Sequence, residues 1–401
     1  MPHHADDHTG ARIADYRKLR HLTQAGLAQR AFVSRGTIAK IEAGLSPASP
    51  AVVAAVARAL EVDVAVLNGQ PYLAEMRQDQ LDRMIAPLTH ALDRYDLGPD
   101  PSIRPRPLRQ VSAEVDELCK AACATEYTRT GDRLPALLSE LTTLISGLPD
   151  GEDRRRAAAQ LAWCYWVAYE FAYRLGLHHL ATIALERMGF MGEQAQDPLI
   201  LAIRLQRRSS MLLRHSDSPM ALRVLDRAHQ LVAQHDAPRS VPALAVSGSL
   251  HLAGAIATAQ AKNAEDVKER MKEARRVAER IGRDVPREYW ASFGPTSVAH
   301  FDVATAVELG QLGEAMKLAR KVRFPADHPR MRVGRYHMEL ARAYSQMGRS
   351  EAAQKELFRA REAAPQQARY HPLMRETVGV LVRRSRAVPG TLASLAAWVG
   401  M

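Results

Sequence analysis

Apolar residues recur at three-to-four spacing along almost the whole chain after residue 10, and no stretch longer than four or five residues alternates at period two. The pattern predicts an all-α protein. Over residues 11–67 it predicts five short helices, at about 11–21, 24–31, 35–43, 50–60 and 64–67. Thr23, Ser34 and Ser49 stand where N-cap side chains belong, Pro50 takes a first helical position, and Gly44 sits just past a helix end, where a left-handed residue is wanted. None of the five is long enough to be stable alone, so they must pack as one small domain. Asn68, Gly69 and Pro71 then break the pattern. A polar helix from about Leu73 to Tyr95 carries Pro87 inside it, and four prolines fall between Pro99 and Pro107, which predicts an extended, semi-rigid joint. The expected divisions are a disordered tail over 1–10, a small helical domain over 11–68, a helical and proline-rich linker over 69–107, and a larger helical domain over 108–401.

The larger domain repeats itself loosely. In Gly334–Gln367, the residues Leu340, Ala341, Tyr344, Gly348, Ala353, Leu357, Ala360 and Pro365 fall on the spacing of a tetratricopeptide repeat, where small and large residues let helix A nest against helix B. Weaker echoes place a small or branched residue early in helix B at Ala136, Ala181, Ala221, Val267 and Ala315. A single helix pair cannot bury its apolar face. Six stacked pairs share a continuous core and form a curved α-solenoid, with 369–386 and 389–400 as terminal capping helices.

The sharpest motif is Gln24 to Gly44, QAGLAQRAFVSRGTIAKIEAG. Ala28, Val33, Ile38 and Ile41 supply buried contacts between two short helices, with Phe32 beside the tight turn that joins them. Arg35, Thr37 and Lys40 fall on the outward face of the second helix, which in a helix-turn-helix enters the major groove of DNA. These residues, with YRKLRHLTQ before them and ARALEVD after, resemble the helix-turn-helix of the phage repressor and Cro class, the XRE family, over about residues 11–67. The resemblance implies that Gln24 bonds a phosphate and supports a base-contacting residue. It places Arg35, Gly36 and Lys40 where bases are read and Thr37 at a phosphate or base position, and it makes Arg17 and Glu42 a structural ion pair. Ser34 and Arg30 complete the candidate DNA-binding set, Arg30 as a phosphate contact. Gly36 departs from the family pattern, since it has no side chain where a polar reader is common. The solenoid in turn resembles tetratricopeptide domains joined to such heads in bacterial regulators, some of them peptide-responsive; in those relatives asparagines bond the peptide backbone, whereas this chain has only Asn68 and Asn263.

Charge changes the picture less than it first suggests. The net charge of +11 comes from 55 Lys+Arg against 44 Asp+Glu and favours an acidic partner such as nucleic acid. Residues 1–70, however, hold eight basic residues against six acidic ones, and residues 71–100 hold three against six. Most of the excess therefore lies on the solenoid. Its clusters Arg154–Arg156, Arg204/Arg207/Arg208, Arg275/Arg276, Arg330/Arg332/Arg335 and Arg383/Arg384/Arg386 read as solvated helix faces or as contacts to an anion, peptide or nucleic acid.

Other chemistry is sparse. The longest apolar runs, such as Ala51–Ala57 and Val62–Leu67, fall short of the ~20 residues of a membrane span, and the start MPHHADDHTG lacks the pattern of a signal peptide. Cys119, Cys123 and Cys164 cannot make a disulfide framework, which suits a reducing cytoplasm, and they read as buried apolar cysteines. No metal, cofactor or catalytic constellation is nominated by spacing, so an enzyme is not expected.

One helix stands out for its aromatic residues. Trp163, Tyr165, Trp166, Tyr169, Phe171 and Tyr173 are six of the chain's 22 aromatics within eleven residues. They read either as packing between helix pairs or as a pocket for a small molecule, with Trp163, Trp166, Tyr169 and Tyr173 as candidate ligand residues and Tyr289 and Trp290 as a second group. Together these readings describe an all-α chain, a five-helix repressor-like DNA-binding domain followed by a TPR-like α-solenoid. The expected function is a cytoplasmic, homodimeric bacterial transcriptional regulator that binds a palindromic operator in double-stranded DNA and senses a small-molecule or peptide effector, with no membrane association. The alternative is a repeat scaffold that recruits proteins and carries an accessory DNA-binding head.

Overall fold

A computed structural model describes residues 8–69, 78–385 and 388–401. Its head comprises α1 (Thr9–Leu19), α2 (Gln24–Arg30), α3 (Arg35–Glu42), α4 (Pro50–Leu60) and α5 (Val64–Asn68). The boundaries follow from local chemistry. Thr23 Oγ1 accepts from the Gly26 amide, Ser34 Oγ from the Thr37 amide and Ser49 Oγ from the Val52 amide, each satisfying a donor that the helix itself leaves orphaned. Helix α1 starts at Thr9 because the His8 ring caps it, accepting from the amides of Gly10 and Ala11. The expected tail is thus ordered from His8 on; residues 1–7 lie outside the described residues. Gly44 adopts φ 66°, the left-handed conformation its position requires.

Ile13, Leu27, Ile38, Ile41, Val56, Leu60 and Leu67 are fully or almost fully buried and form the head's core, with Ala28 beside them and Val33 at its edge. Helix α1 packs so tightly on α3 that a Cβ at Gly10 would fall 1.8 Å from the Ile41 carbonyl oxygen.

The second body begins with α6 (Gln78–Asp93). Leu88 and Leu92 of α6 are fully buried in the same core as the following helices, so α6 is an outer helix of the solenoid rather than part of a linker. The proline-rich segment after it is extended but not free. The Asp100 amide donates to Thr143 Oγ1 at 3.1 Å, and Arg106 pairs with Glu140 and Glu114 at 2.6 and 2.7 Å, which fastens the segment along the first repeats.

Six antiparallel helix pairs follow: α7 (Leu108–Cys123) with α8 (Tyr127–Gly147), α9 (Glu152–Leu175) with α10 (His178–Gln194), α11 (Pro198–Leu213) with α12 (Ser218–Ala233), α13 (Val241–Gln260) with α14 (Ala264–Ile281), α15 (Pro295–Glu308) with α16 (Leu312–Ala319), and α17 (Arg330–Gln346) with α18 (Ser350–Ala363). Each predicted small anchor lies on the second helix of its pair, and Ala181, Ala221, Ala315 and Ala353 are completely buried there. Helices α19 (Pro365–Tyr370), α20 (Pro372–Arg384) and α21 (Gly390–Trp398) close the array. Among the described residues there is no β-strand, only one bridge between Val285 and Phe293. That bridge pins a loop whose short 3-10 turn, Glu288–Trp290, interrupts the repeat pattern between α14 and α15.

The array folds back on itself. Helix α19 touches α9, and Gln366 Oε1 accepts from the Tyr127 amide at 2.5 Å. Helix α9 is therefore packed on nearly every side, which is why its rings cover more than one face. Helix α13 is long and apolar enough to cross a membrane by length and composition, contrary to the reading from contiguous apolar runs, because Ser247, Gly248, Ser249 and His251 interrupt its runs without lowering its mean hydropathy far. It is mostly buried between α11, α12, α14 and α15, the position of a core helix.

Candidate functional site

The second helix of the head, α3, presents the residues predicted to meet DNA. Ser34, Arg35, Gly36 and Lys40 are exposed, Thr37 is half-buried, and Arg30 is exposed at the end of α2. The Ser34 and Thr37 hydroxyls lie 2.8 Å apart, so the cap also orients Thr37. A Cβ at Gly36 would meet only Ser34 Oγ, at 3.8 Å. The missing side chain there is not demanded by packing. Phe32, in the turn between α2 and α3, is left-handed at φ 54° and 89% exposed.

Behind this face lies a three-residue network. Arg17 donates from Nε to Glu42 Oε1 at 2.7 Å and from Nη2 to Glu42 Oε2 at 2.9 Å, while its Nη1 reaches the Leu22 carbonyl at 2.8 Å. Gln24 Nε2 donates to Glu42 Oε2 at 2.9 Å. The hydrogen bond to Glu42 raises the Arg17 pKa above its ordinary value against the opposing effect of burial. The network ties α1, α2 and α3 together, and it holds the Gln24 side chain at the start of α2.

The head docks on the solenoid by residues remote from the outward face of α3. Arg58 donates to the Ser216 carbonyl at 3.2 Å, Arg214 lies 3.5 Å from Asp63, and Arg383 donates to the Gly44 carbonyl at 3.1 Å. Sequence reasoning did not single out Arg58, Asp63 or Arg214. Their partners stand more than 150 residues away, and no local pattern signals such contacts.

Where the two bodies meet there is a cavity of about 410 Å³. Tyr169, Tyr173 and Trp290 line it, whereas Trp163, Trp166 and Tyr289 do not. Trp166 is fully buried, with Trp163 edge-on to it and Trp290 stacked 6.1 Å away, so Trp163 and Trp166 stand behind the cavity surface that Trp290 lines. Tyr289 is fixed by donating to Asp197 Oδ2 at 2.8 Å. The six predicted ligand residues thus divide into three that face the cavity and three that support them.

Charged groups crowd the same space. Burial acts to raise the Glu170 pKa, but Arg174 and Arg207, 2.7 and 3.0 Å away, outweigh it and lower the net value. Glu339, 2.6 Å from Arg335, is held at about 2 by Arg335 and His300 against its burial. His178 is lowered to about 3 by burial and by the neighbouring Arg214 charge. Of the cysteines, Cys119 and Cys164 are buried and Cys123 is half-buried on the cavity wall; all three are free, and burial pushes Cys123 up to about 12. Among the described residues no group of three or more His, Cys, Asp or Glu side chains is arranged to hold a metal ion.

Residues 8–68 match the helix-turn-helix domain family, and residues 306–376 match the tetratricopeptide repeat family. No curated protein and no solved structure matches the chain with significance. The chain carries a helix-turn-helix domain at its N-terminal end and tetratricopeptide-like helical repeats toward its C-terminal end.

Proposed function

We propose that this protein is a sequence-specific DNA-binding transcriptional regulator of the bacterial cytoplasm, without enzymatic activity, that acts as a homodimer on a palindromic operator and uses its solenoid to sense an effector or partner. The observation that carries this reading is the exposed face of α3, which stays open while the head is fastened to the solenoid through Gly44, Arg58 and Asp63. Arg35, exposed at the first turn of α3, has the fork geometry that donates twice to guanine O6 and N7, a contact that discriminates by about 1–3 kcal/mol. Arg30 and Thr37 hold phosphates and set register. One small head spans too few base pairs for a genomic address, so two heads related by a two-fold axis read two half-sites.

Footprinting with the full chain tests the reading. A discrete two-fold protected site is expected, lost in Arg35→Ala. The same variant should flatten the preference for one base pair in each half-site by about 10–100-fold. Arg30→Ala should weaken binding to all sequences alike and lower the salt slope by about one. Only diffuse, salt-sensitive protection would overturn the regulator reading and favour the repeat-scaffold alternative.

A further inference from the structure

We propose that the cavity between head and solenoid is a binding site for a small organic anion, its carboxylate or phosphate group received by Arg332 and Arg207 and its flat apolar body lying among Tyr169, Trp290 and Phe301. This names a ligand class for the sensing role proposed above, although binding itself does not depend on that role.

The first observation is an uneven distribution of charge. Five arginines, Arg174, Arg207, Arg214, Arg332 and Arg335, line the cavity with three carboxylates, Glu170, Glu339 and Glu376. Arg335 is taken up by Glu339, and Arg214 faces Asp63. Arg174 and Arg207 share the single carboxylate of Glu170, and although Arg207 Nε is close to it, that N–H finds no aligned acceptor among the described residues. Arg332 has no carboxylate within 4.0 Å among the described residues; its hydrogen bond goes to the Ala291 carbonyl, at 2.7 Å. A guanidinium out of bulk water and without a counter-charge is costly to keep, and an incoming anion removes that cost. Burial, followed by repulsion from Arg207, accordingly lowers the Arg332 pKa to about 10.

The second observation is a set of unused polar atoms on the same wall. Ser292 and His300 are each only 4% exposed and line the cavity, yet Ser292 Oγ and His300 Nδ1 have no hydrogen-bond partner among the described residues. Buried polar atoms are ordinarily satisfied, so these two mark the wall as under-satisfied without an occupant; both are closed off from the cavity, and contact with one requires a side-chain shift. The volume of about 410 Å³ suits one metabolite-sized molecule, and the aromatic rings beside the arginines supply apolar surface for its body. Val53, Val64 and Asn68 of the head complete the wall, so an occupant touches both bodies at once. A molecule that contacts the head only in its seated position favours that position.

Calorimetric titration of the full-length protein, without DNA and at constant ionic strength, tests the site. The probes are indole-3-acetate and phenyl phosphate, each set against a neutral counterpart, indole-3-acetamide and phenol. At least one anion is expected to bind one per chain, at least ten-fold more tightly than its neutral counterpart, and the tighter of the two identifies a carboxylate or phosphate preference. Arg332→Gln should weaken that anion at least ten-fold, and Arg332→Lys by less. Equal affinity for anion and neutral counterpart, or no binding by either anion, would overturn the proposal from the unaltered protein alone, even if the variants fail to fold. Because no DNA is present, this outcome is independent of the footprint.

Discussion

Replacing Glu42 by alanine isolates the network behind the DNA-facing helix. The change removes both carboxylate acceptors of the Arg17 guanidinium and the acceptor of Gln24. The Arg17 and Glu42 side chains are only 13% and 6% exposed, so Arg17 is left as a largely buried charge whose remaining partner is the Leu22 carbonyl. Breaking one side of such a pair costs about 3–5 kcal/mol. At about 0.05–0.15 kcal/mol per residue, the head over residues 8–69 is worth about 3–9 kcal/mol in all. The single change thus removes a large part of the head's stability while the solenoid, with its own core, persists. The combined change Arg17→Met and Glu42→Leu removes both charges and is expected to cost less than about 2 kcal/mol. Hydrogen exchange on the full chain should show α1 to α3 losing protection in Glu42→Ala and regaining most of it in the double variant, with α9 to α14 unchanged in both. If the single variant is no less protected than the double one, the pair does not act as a buried ion pair and the argument fails.

Three further outcomes are expected. His178, His229 and His328 are each lowered to about 3, by burial first and then by neighbouring positive charge. They stay neutral in the folded chain while the unfolded chain protonates them, so stability is complete above pH ~6.5 and falls as pH drops toward ~3, by up to about 1.4 kcal/mol per pH unit for each. Melting midpoints between pH 7 and 5 check this, since Glu339, held near 2, contributes no loss in that window. Gly248→Ala would place a Cβ 2.2 Å from the buried Phe293 ring and should cost about 1–3 kcal/mol, seen as a lower urea midpoint with unchanged slope. Gly36→Gln meets only Ser34 Oγ, at van der Waals distance, so it should leave stability within about 0.5 kcal/mol of the parent, and selection from a random operator library should return a different half-site.

The head was the most legible part of the sequence because its signals are local. Thr23, Ser34, Ser49 and Gly44 each act within three or four residues, and the structure places helix starts or stops at all four. Helix α6 was less legible. Its buried residues Leu88 and Leu92 make a narrow stripe beside Pro87 and many polar residues, and contact with α8 and α10, distant in sequence, gives that helix its partners. The arginines were the least legible. Arg204 and Arg208 pair with Glu186 in the manner of a solvated face, but Arg207, in the same cluster, turns to Glu170 and the cavity. Neighbours on a helix differ by about 100° in direction, and the sequence does not say which direction a superhelix will enclose. The crowded rings of α9 did signal an unusual helix. Which of them reach open space depends on the turn at Tyr289, whose hydroxyl is anchored on Asp197, 92 residues earlier.

The bonds from Arg58 to Ser216 and from Arg383 to Gly44 also bear on how the chain folds. A linear array of repeats has only neighbour contacts and can fray from either end, one pair at a time. Here α19 touches α9 and the N-terminal domain touches both the third pair and α20, across 158 and 339 residues of chain. Such separations raise contact order, so closing the structure should be a slow, late step that follows the assembly of the individual helix pairs. Once closed, neither end is a free end, and unfolding must break the seam before the array can unravel.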